Sequence, residues 1–212
     1  MEKSFLTVAG ETEVLKKVKD SKFYGNTAVV KSEKEVKNFT EKIKGRYRDA
    51  SHNVTAYKIG CGGQVKKYSD DDSEPAGSSG PPVLEVIDGR ELTNVIVVVS
   101  RYFGGTKLGI GGLIRAYGDT ARLVINKAGT KKMNLIYKLQ IIGNYNITGD
   151  IMGQIEAFSG KILASEYNRE QVKIECLLKP EKVKAFRNKL IKISGNQVKL
   201  KKLKEFYSSP GK

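Results

Sequence analysis

Two cysteines and one histidine are all that 212 residues contain of these types, and that scarcity closes off much chemistry. Cys61 and Cys176 lie far apart, with no CxxC or CxxH arrangement around either, so neither a disulfide framework nor a zinc site is indicated. A reducing cytoplasm fits that usage. His52 has no second histidine and no neighbouring cysteine; it reads first as a ring hydrogen-bonded in a structural role and stays in view as a candidate site residue. Long apolar runs are missing as well. The longest aliphatic run is Val95 to Val99, against the roughly 20 residues a membrane-crossing helix needs. The opening MEKSFLTVAG carries an early acid and no apolar centre, so neither a signal peptide nor a membrane partner is expected.

Familiar phosphate and nucleophile motifs are also lacking. No window supplies GxxxxGK followed by Ser or Thr, the pattern in which backbone N–H groups hold phosphates while the lysine and hydroxyl serve phosphate and magnesium. A dinucleotide fingerprint fails because Gly109-Ile110-Gly111 meets Ile114 where its third glycine should stand. Ser78 or Ser79 could join His52 and Asp71 in a triad on paper, but no GxSxG elbow supports one.

What the chain has is positive charge: 38 Lys and Arg against 23 Asp and Glu, a formal +15. Such an excess raises affinity for polyanions and speeds encounter with them, although lysines on solvent faces also serve plain solubility. The length suits two domains, assigned here to 1–134 and 135–212. The first holds 23 basic residues against 16 acidic, the second 15 against 7, so both are basic.

Patterning predicts an α+β protein. Strands are expected at Glu13 to Val18 and Phe23 to Val30, then a helix opened by the capping box Ser32-Glu33-Lys34-Glu35, with Val36, Phe39 and Ile43 facing the core. A hairpin follows, Val54 to Gly60 and Gln64 to Ser69, and then the loop SDDDSEPAGSSGPP leads into a short helix, Val83 to Ile87. The run NVIVVVS, Asn94 to Ser100, reads as a strand covered on both faces. Apolar or small residues at 110, 113, 114, 117, 121, 124, 125 and 128 predict a long helix ended by Gly129. The second domain reads β-α-β-β-α-β: Leu135 to Gly143, Gly149 to Ser159, Lys161 to Tyr167, Gln171 to Leu178, a helix from Pro180, and Gln197 to Phe206. That is the order of a ferredoxin-like fold, which by itself names no function.

The stretch Arg101 to Asp119, RYFGGTKLGIGGLIRAYGD, joins the buried strand to the long helix and holds six glycines and three basic residues. Gly104, Gly105 and Gly109 would let backbone approach a ligand, Lys107 supplies charge, and the helix presents free N–H groups at its positive end. Arg101 to Lys107 is expected to form the turn. Packing supplies the alternative: Gly111, Gly112 and Gly118 could let the helix lie close to the sheet, and Gly104-Gly105 could simply turn the chain. The acidic cluster Asp70, Asp71, Asp72 and Glu74 could hold a divalent cation through oxygen ligands, accept from Arg101 and Arg115, or be a solvated loop.

Taken together, His52-Asn53 followed by Ala56-Tyr57-Lys58-Ile59, then SDDDSEPAGSSG, then LTNVIVVVSRYFGGTKLGIGGLIRAY from Leu92 to Tyr117 resemble the YigZ/IMPACT family over roughly residues 20 to 128. Beyond that, only length and strand order match its bacterial two-domain members. The resemblance implies a first domain with the fold shared by a small-subunit ribosomal protein, domain IV of elongation factor G and the GHMP kinases. It implies a ferredoxin-like second domain similar to domain V of elongation factor G. Both analogues touch ribosomal RNA, and eukaryotic IMPACT regulates translation through a protein partner. Two departures stand out. Val54 occupies a position where the family often has cysteine, and Asp72-Ser73 adds a residue to the acidic motif and replaces its glycine, which should loosen the turn.

The function expected is a noncatalytic, translation-associated regulator that binds RNA or the ribosome, with a protein partner in translation control as a further expectation. Arg101, Lys107 and Arg115 would contact phosphate, Tyr102 or Phe103 would stack a base, and Gly104 and Gly105 would shape the turn. Asp70, Asp71, Glu74 and Gly77 form the acidic loop. No resident cofactor is expected beyond a divalent cation at Asp70 and Asp71. One rival is a nucleotide- or phosphate-binding enzyme of GHMP-kinase-like fold, with Gly77-Ser78-Ser79-Gly80 cradling phosphate. The other is a protein-interaction module docking through the glycine-rich turn.

Overall fold

The computed structural model describes residues 2–209, and the chain divides into two compact units, one up to Lys132 and one from Met133. The first unit runs β1 (Ser4–Val8), β2 (Thr12–Val18), β3 (Ser21–Val29), α1 (Glu33–Arg46), β4 (His52–Ile59), β5 (Lys66–Asp70), α2 (Gly80–Gly89), β6 (Val95–Tyr102) and α3 (Ile110–Ala128). Its main sheet has the order β2-β3-β6-β4-β5, with every pairing antiparallel.

Strand β6 is central, and its alternation explains why it reads as an unbroken apolar run. Val95, Val97 and Val99 pack with α2 and α3 residues such as Val83, Ile87, Leu113 and Val124. Ile96 and Val98 face the other way, onto Val36, Phe39 and Ile43 of α1. Each such side chain, fully buried, contributes roughly 1.5–3 kcal/mol, so this strand anchors both layers. Helix α1 starts at the expected box: Glu35 donates its backbone N–H to Ser32 Oγ, and the Glu35 carboxylate accepts the backbone N–H of Lys31.

Two expectations change. Strand β6 continues through Arg101 and Tyr102, because both stay in register with β3, opposite Phe23 and Lys22; the turn therefore begins only at Phe103. The helix glycines do not bring α3 against the sheet. A Cβ built on Gly111 or Gly118 would meet first the guanidinium of Arg115 or Arg122, at 3.5 Å or more, and one on Gly112 would meet Leu108. The close approach is made from the strand side, where a Cβ on Gly25 of β3 would lie 2.8 Å from Thr120 Cγ2 of α3. Strand β1, which patterning did not indicate, is tied in by Thr93 N–H donating to the Leu6 carbonyl.

The second unit takes most of β7 (Thr130–Asn144), then α4 (Thr148–Ala157), β8 (Lys161–Tyr167), β9 (Gln171–Leu178), α5 (Pro180–Ser194) and β10 (Lys199–Ser208). The strands lie in the order β10-β7-β9-β8, all antiparallel. One core of Leu139, Ile141, Ile151, Ile155, Ile174, Phe186 and Leu190 joins sheet to helices. Cys176 belongs to it, and burial pushes its thiol up to about 11, which suits a packed residue and not a nucleophile.

Candidate functional site

Register across the sheet builds the site. Arg101 of β6 stands opposite Phe23 of β3 on one side and His52 of β4 on the other, so the three form one row on the α2–α3 face. Over that row passes the β5–α2 loop carrying Glu74. Glu74 Oε1 accepts from Arg101 Nη1 at 2.7 Å and from the Tyr117 hydroxyl of α3, also at 2.7 Å. Both charges are withdrawn from water, with side-chain exposures of 6% and 3% for Arg101 and Glu74. The guanidinium also lies 5.5 Å from the ring centres of Phe23 and Phe103. Burial raises the Tyr117 phenol far above its ordinary pKa, helped by the Glu74 carboxylate it donates to, so it remains a donor.

His52 is bonded to the acidic loop. Its Nδ1 is 2.8 Å from the Asp72 carbonyl; a carbonyl only accepts, so Nδ1 carries a proton and Nε2 faces Glu74 Oε1 at 3.8 Å. Asp72 holds the same strand end a second time, its Oδ2 accepting the Asn53 backbone N–H at 2.6 Å. The loop is therefore firmly bonded, where the altered motif suggested a looser turn. Asp72 and Ser73 adopt the left-handed conformation, with φ of 45° and 69°, which is why a glycine would suit this place.

Asp71 is the internal anion of the acidic loop. Its carboxylate accepts from the backbone N–H groups of Gly77, Ser79 and Gly80 and from Ser79 Oγ, at 2.6–3.0 Å. Burial pushes its pKa up, but the Ser79 hydroxyl and the three N–H groups outweigh that and hold it below the ordinary carboxylate range. The amino end of α2 is thus filled from within the chain. Asp70 turns away to accept the Asp72 N–H. Among the described residues no group of three His, Cys, Asp or Glu side chains is placed to hold a metal ion.

The glycine-rich turn is pinned to its neighbours. Phe103 N–H donates to Ser51 Oγ, Gly104 N–H to Ser21 Oγ, and Thr106 Oγ1 to Asp20 Oδ2. Gly104 is required sterically, since a Cβ there would sit 2.1 Å from the Asp20 carbonyl carbon. Gly105 and Gly109 are required conformationally, with φ of 89° and 71°. Glu74, Arg101, Phe103 and Lys107 line a cavity of about 370 Å³ together with Gly109 and Ile110, where α3 begins. Among the described residues no side chain is seen to cap that helix, and Phe103 and Lys107 are exposed.

Of the residues singled out from the sequence, Glu74, Arg101, Phe103, Lys107 and Gly109 share this cavity. Arg115 lines a separate groove between α2 and α3. Tyr102 lies on the opposite face with Tyr24 and the α1 core; its hydroxyl donates to Asp49, which, with some desolvation, pushes the phenol up to about 12. In the sequence Tyr117 stands out only as part of the apolar stripe of α3. A tyrosine on a buried face needs a partner for its hydroxyl, and that was the available signal.

Fold and site define a class: a basic, two-unit α+β protein whose antiparallel first sheet ends in a buried arginine–glutamate–tyrosine cluster beside a pinned glycine-rich turn. The family model described as the Impact N-terminal domain matches residues 19–125, the segment that builds this site. The chain belongs to the IMPACT family. It is 34% identical over 200 residues to the IMPACT family member YvyE of Bacillus subtilis, covering 93% of this chain and 90% of that one. It is 29% identical over 203 residues to the IMPACT family member YigZ of Escherichia coli, covering 95% and 99%. A solved structure titled as that of a hypothetical protein superposes with a TM-score of 0.64 at 28% identity, over 96% of this chain and 99% of that one.

Proposed function

We propose that this protein is a noncatalytic, translation-associated regulator that binds RNA or the ribosome through the exposed part of its glycine-rich turn. The observation that carries the reading is the contrast between two helix starts. The amino end of α2 is occupied by Asp71, whereas among the described residues no side chain is seen to cap the amino end of α3, which stands beside Lys107 on the cavity wall. Free N–H groups, helix dipole and a lysine together suit a phosphate. Phe103, 48% exposed, takes the base-stacking role in place of Tyr102. Arg101 acts from beneath as a positioning residue, holding Glu74 and Phe103. Consistent with this function, we read the first unit as the fold shared with a small-subunit ribosomal protein and domain IV of elongation factor G. The second, with its β-α-β-β-α-β order and antiparallel sheet, we read as ferredoxin-like.

The phosphate-handling enzyme fares worse, because the N–H groups of Gly77, Ser79 and Gly80 that would cradle a nucleotide already hold Asp71. In this reading Asp71 is a loop organiser and not a ligand for a divalent cation. The test is cosedimentation with ribosomes and fluorescence anisotropy with structured RNA across a salt series, beside a cationic protein of similar size and charge. Binding that exceeds the control and weakens in Lys107→Gln supports the proposal; binding equal to the control sinks it.

A further inference from the structure

The groove between α2 and α3 lies outside the turn and has its own chemistry. It encloses about 420 Å³, and its lining includes Arg90 of the α2 end, Arg115, Gly118 and Arg122 of α3, with Glu85 and Ile114. Helical side chains lean back toward the amino end, so each α3 arginine overlies the glycine four residues before it. A Cβ on Gly111 would lie 3.7 Å from Arg115 Nη1, and one on Gly118 would lie 3.5 Å from Arg122 Nη2. The motif is a repeated Gly-x-x-x-Arg with a seven-residue step, which spaces the two arginines roughly 10 Å apart along the helix. Neither glycine is explained by packing within the chain, yet both weaken the helix relative to alanine. Gly111 is exposed and Gly118 buried, and a guanidinium lies close over each.

We infer that this groove binds the phosphodiester backbone of base-paired RNA, an inference that rests on the RNA reading above and assigns it a second surface. Among the described residues only Arg122 of the three arginines is ion-paired, with Asp119. Guanidinium groups match phosphate oxygens in pairs. The groove lining has no aromatic residue, and Ile114 is its one exposed large apolar side chain. It therefore lacks the aromatic anchors that centre protein–protein hot spots, and it offers no aromatic ring as a platform for an unpaired base. Recognition there is of backbone, which base-paired RNA presents with its bases turned inward. The turn, with Phe103, suits an unpaired nucleotide. Both lie along α3, so the preferred RNA is a duplex that opens into a single strand.

The test uses the full chain, a labelled blunt RNA hairpin and an unstructured oligonucleotide, read by anisotropy across a salt series. The groove variant is Arg90→Gln/Arg115→Gln/Arg122→Gln; Lys31→Gln/Lys34→Gln/Lys37→Gln, on exposed residues at and before α1, removes equal charge elsewhere, and circular dichroism checks that both fold. The slope of log affinity against log salt for the hairpin should fall by about 0.7–0.9 per lost phosphate contact, hence by roughly two to three in the groove variant, and by less in the control. Equal slopes in the two triple variants overturn the groove while leaving the turn's role standing if Lys107→Gln still weakens binding. Displacement of the hairpin by polyglutamate as effectively as by unlabelled RNA at equal charge assigns the groove to acidic polypeptide and also overturns it. Wild-type protein that binds no RNA beyond a cationic control removes both proposals together.

Discussion

Replacing Glu74 tests the buried cluster directly. The carboxylate is the common acceptor for Arg101 Nη1 and the Tyr117 hydroxyl, each at 2.7 Å. Glu74→Ala strands a buried guanidinium, a loss of about 3–5 kcal/mol for a broken buried pair. It also leaves the Tyr117 hydroxyl without its acceptor, for which about 1–3 kcal/mol is usual, overlapping the first figure and not simply adding to it. Glu74→Gln keeps an acceptor oxygen for Tyr117 and loses only charge, and Phe23 and Phe103 still flank the guanidinium; roughly 3 kcal/mol, the lower end of the range, is expected. Adding Arg101→Met removes the orphaned charge, so the double variant should recover about 2–3 kcal/mol relative to the sum of the singles. Urea denaturation reads this as a midpoint lower by about 1–3 M for Glu74→Gln. Hydrogen exchange of residues 95–102 assigns the loss to the first unit. A single variant within about 0.5 kcal/mol of wild type, with an additive double, would refute an energetically coupled pair.

Gly104→Ala should displace the turn, because the new Cβ would lie 2.1 Å from backbone of Asp20; a lowered melting temperature and lost exchange protection at residues 103–109 are expected. Gly118→Ala meets first a movable guanidinium, at ordinary contact distance, and should stabilise the fold by about 0.5–1 kcal/mol, read by chemical denaturation. Ser73→Gly should also stabilise, by up to about 1 kcal/mol, since it relieves a non-glycine residue at φ 69°; an unchanged midpoint would show that the loop carries no such strain. The depressed Asp71 pKa adds stability that is fully present above the unfolded aspartate value of about 3.9 and disappears as pH falls through the lower folded value. Melting temperature should therefore drop across that acid window, and Asp71→Asn should flatten that part of the profile.

Legibility followed physical range. Strand β6 and helices α1, α3 and α5 could be read because their signals are local: β-branched runs, a capping box, a 3.6-residue stripe, and proline opening a helix. The family was legible for a related reason, since its motifs fall on the loops and strand ends that build the site. What could not be read depended on register. Whether Arg101 pointed to solvent or inward was decided by its alignment with Phe23 and His52, residues 78 and 49 positions away. The same strict alternation put Tyr102 on the far face. The role of Asp71 was hidden because an acidic loop looks alike whether it holds a cation, faces water, or caps the next helix. The α3 glycines misled for a simpler reason: close helix–sheet approach needs a small residue on only one side, and here Gly25 supplies it.

The bonds of Phe103, Gly104 and Thr106 to Ser51, Ser21 and Asp20 bear on how quickly a partner is captured. A glycine-rich segment left loose would surrender much conformational entropy when a ligand ordered it, and capture would wait for the right shape. Here that ordering happens once, when the chain folds. Under the RNA-binding proposal, encounter at the turn would then be limited by diffusion and by the attraction between a +15 chain and a polyanion. Weakening the pins should slow association more than it speeds release.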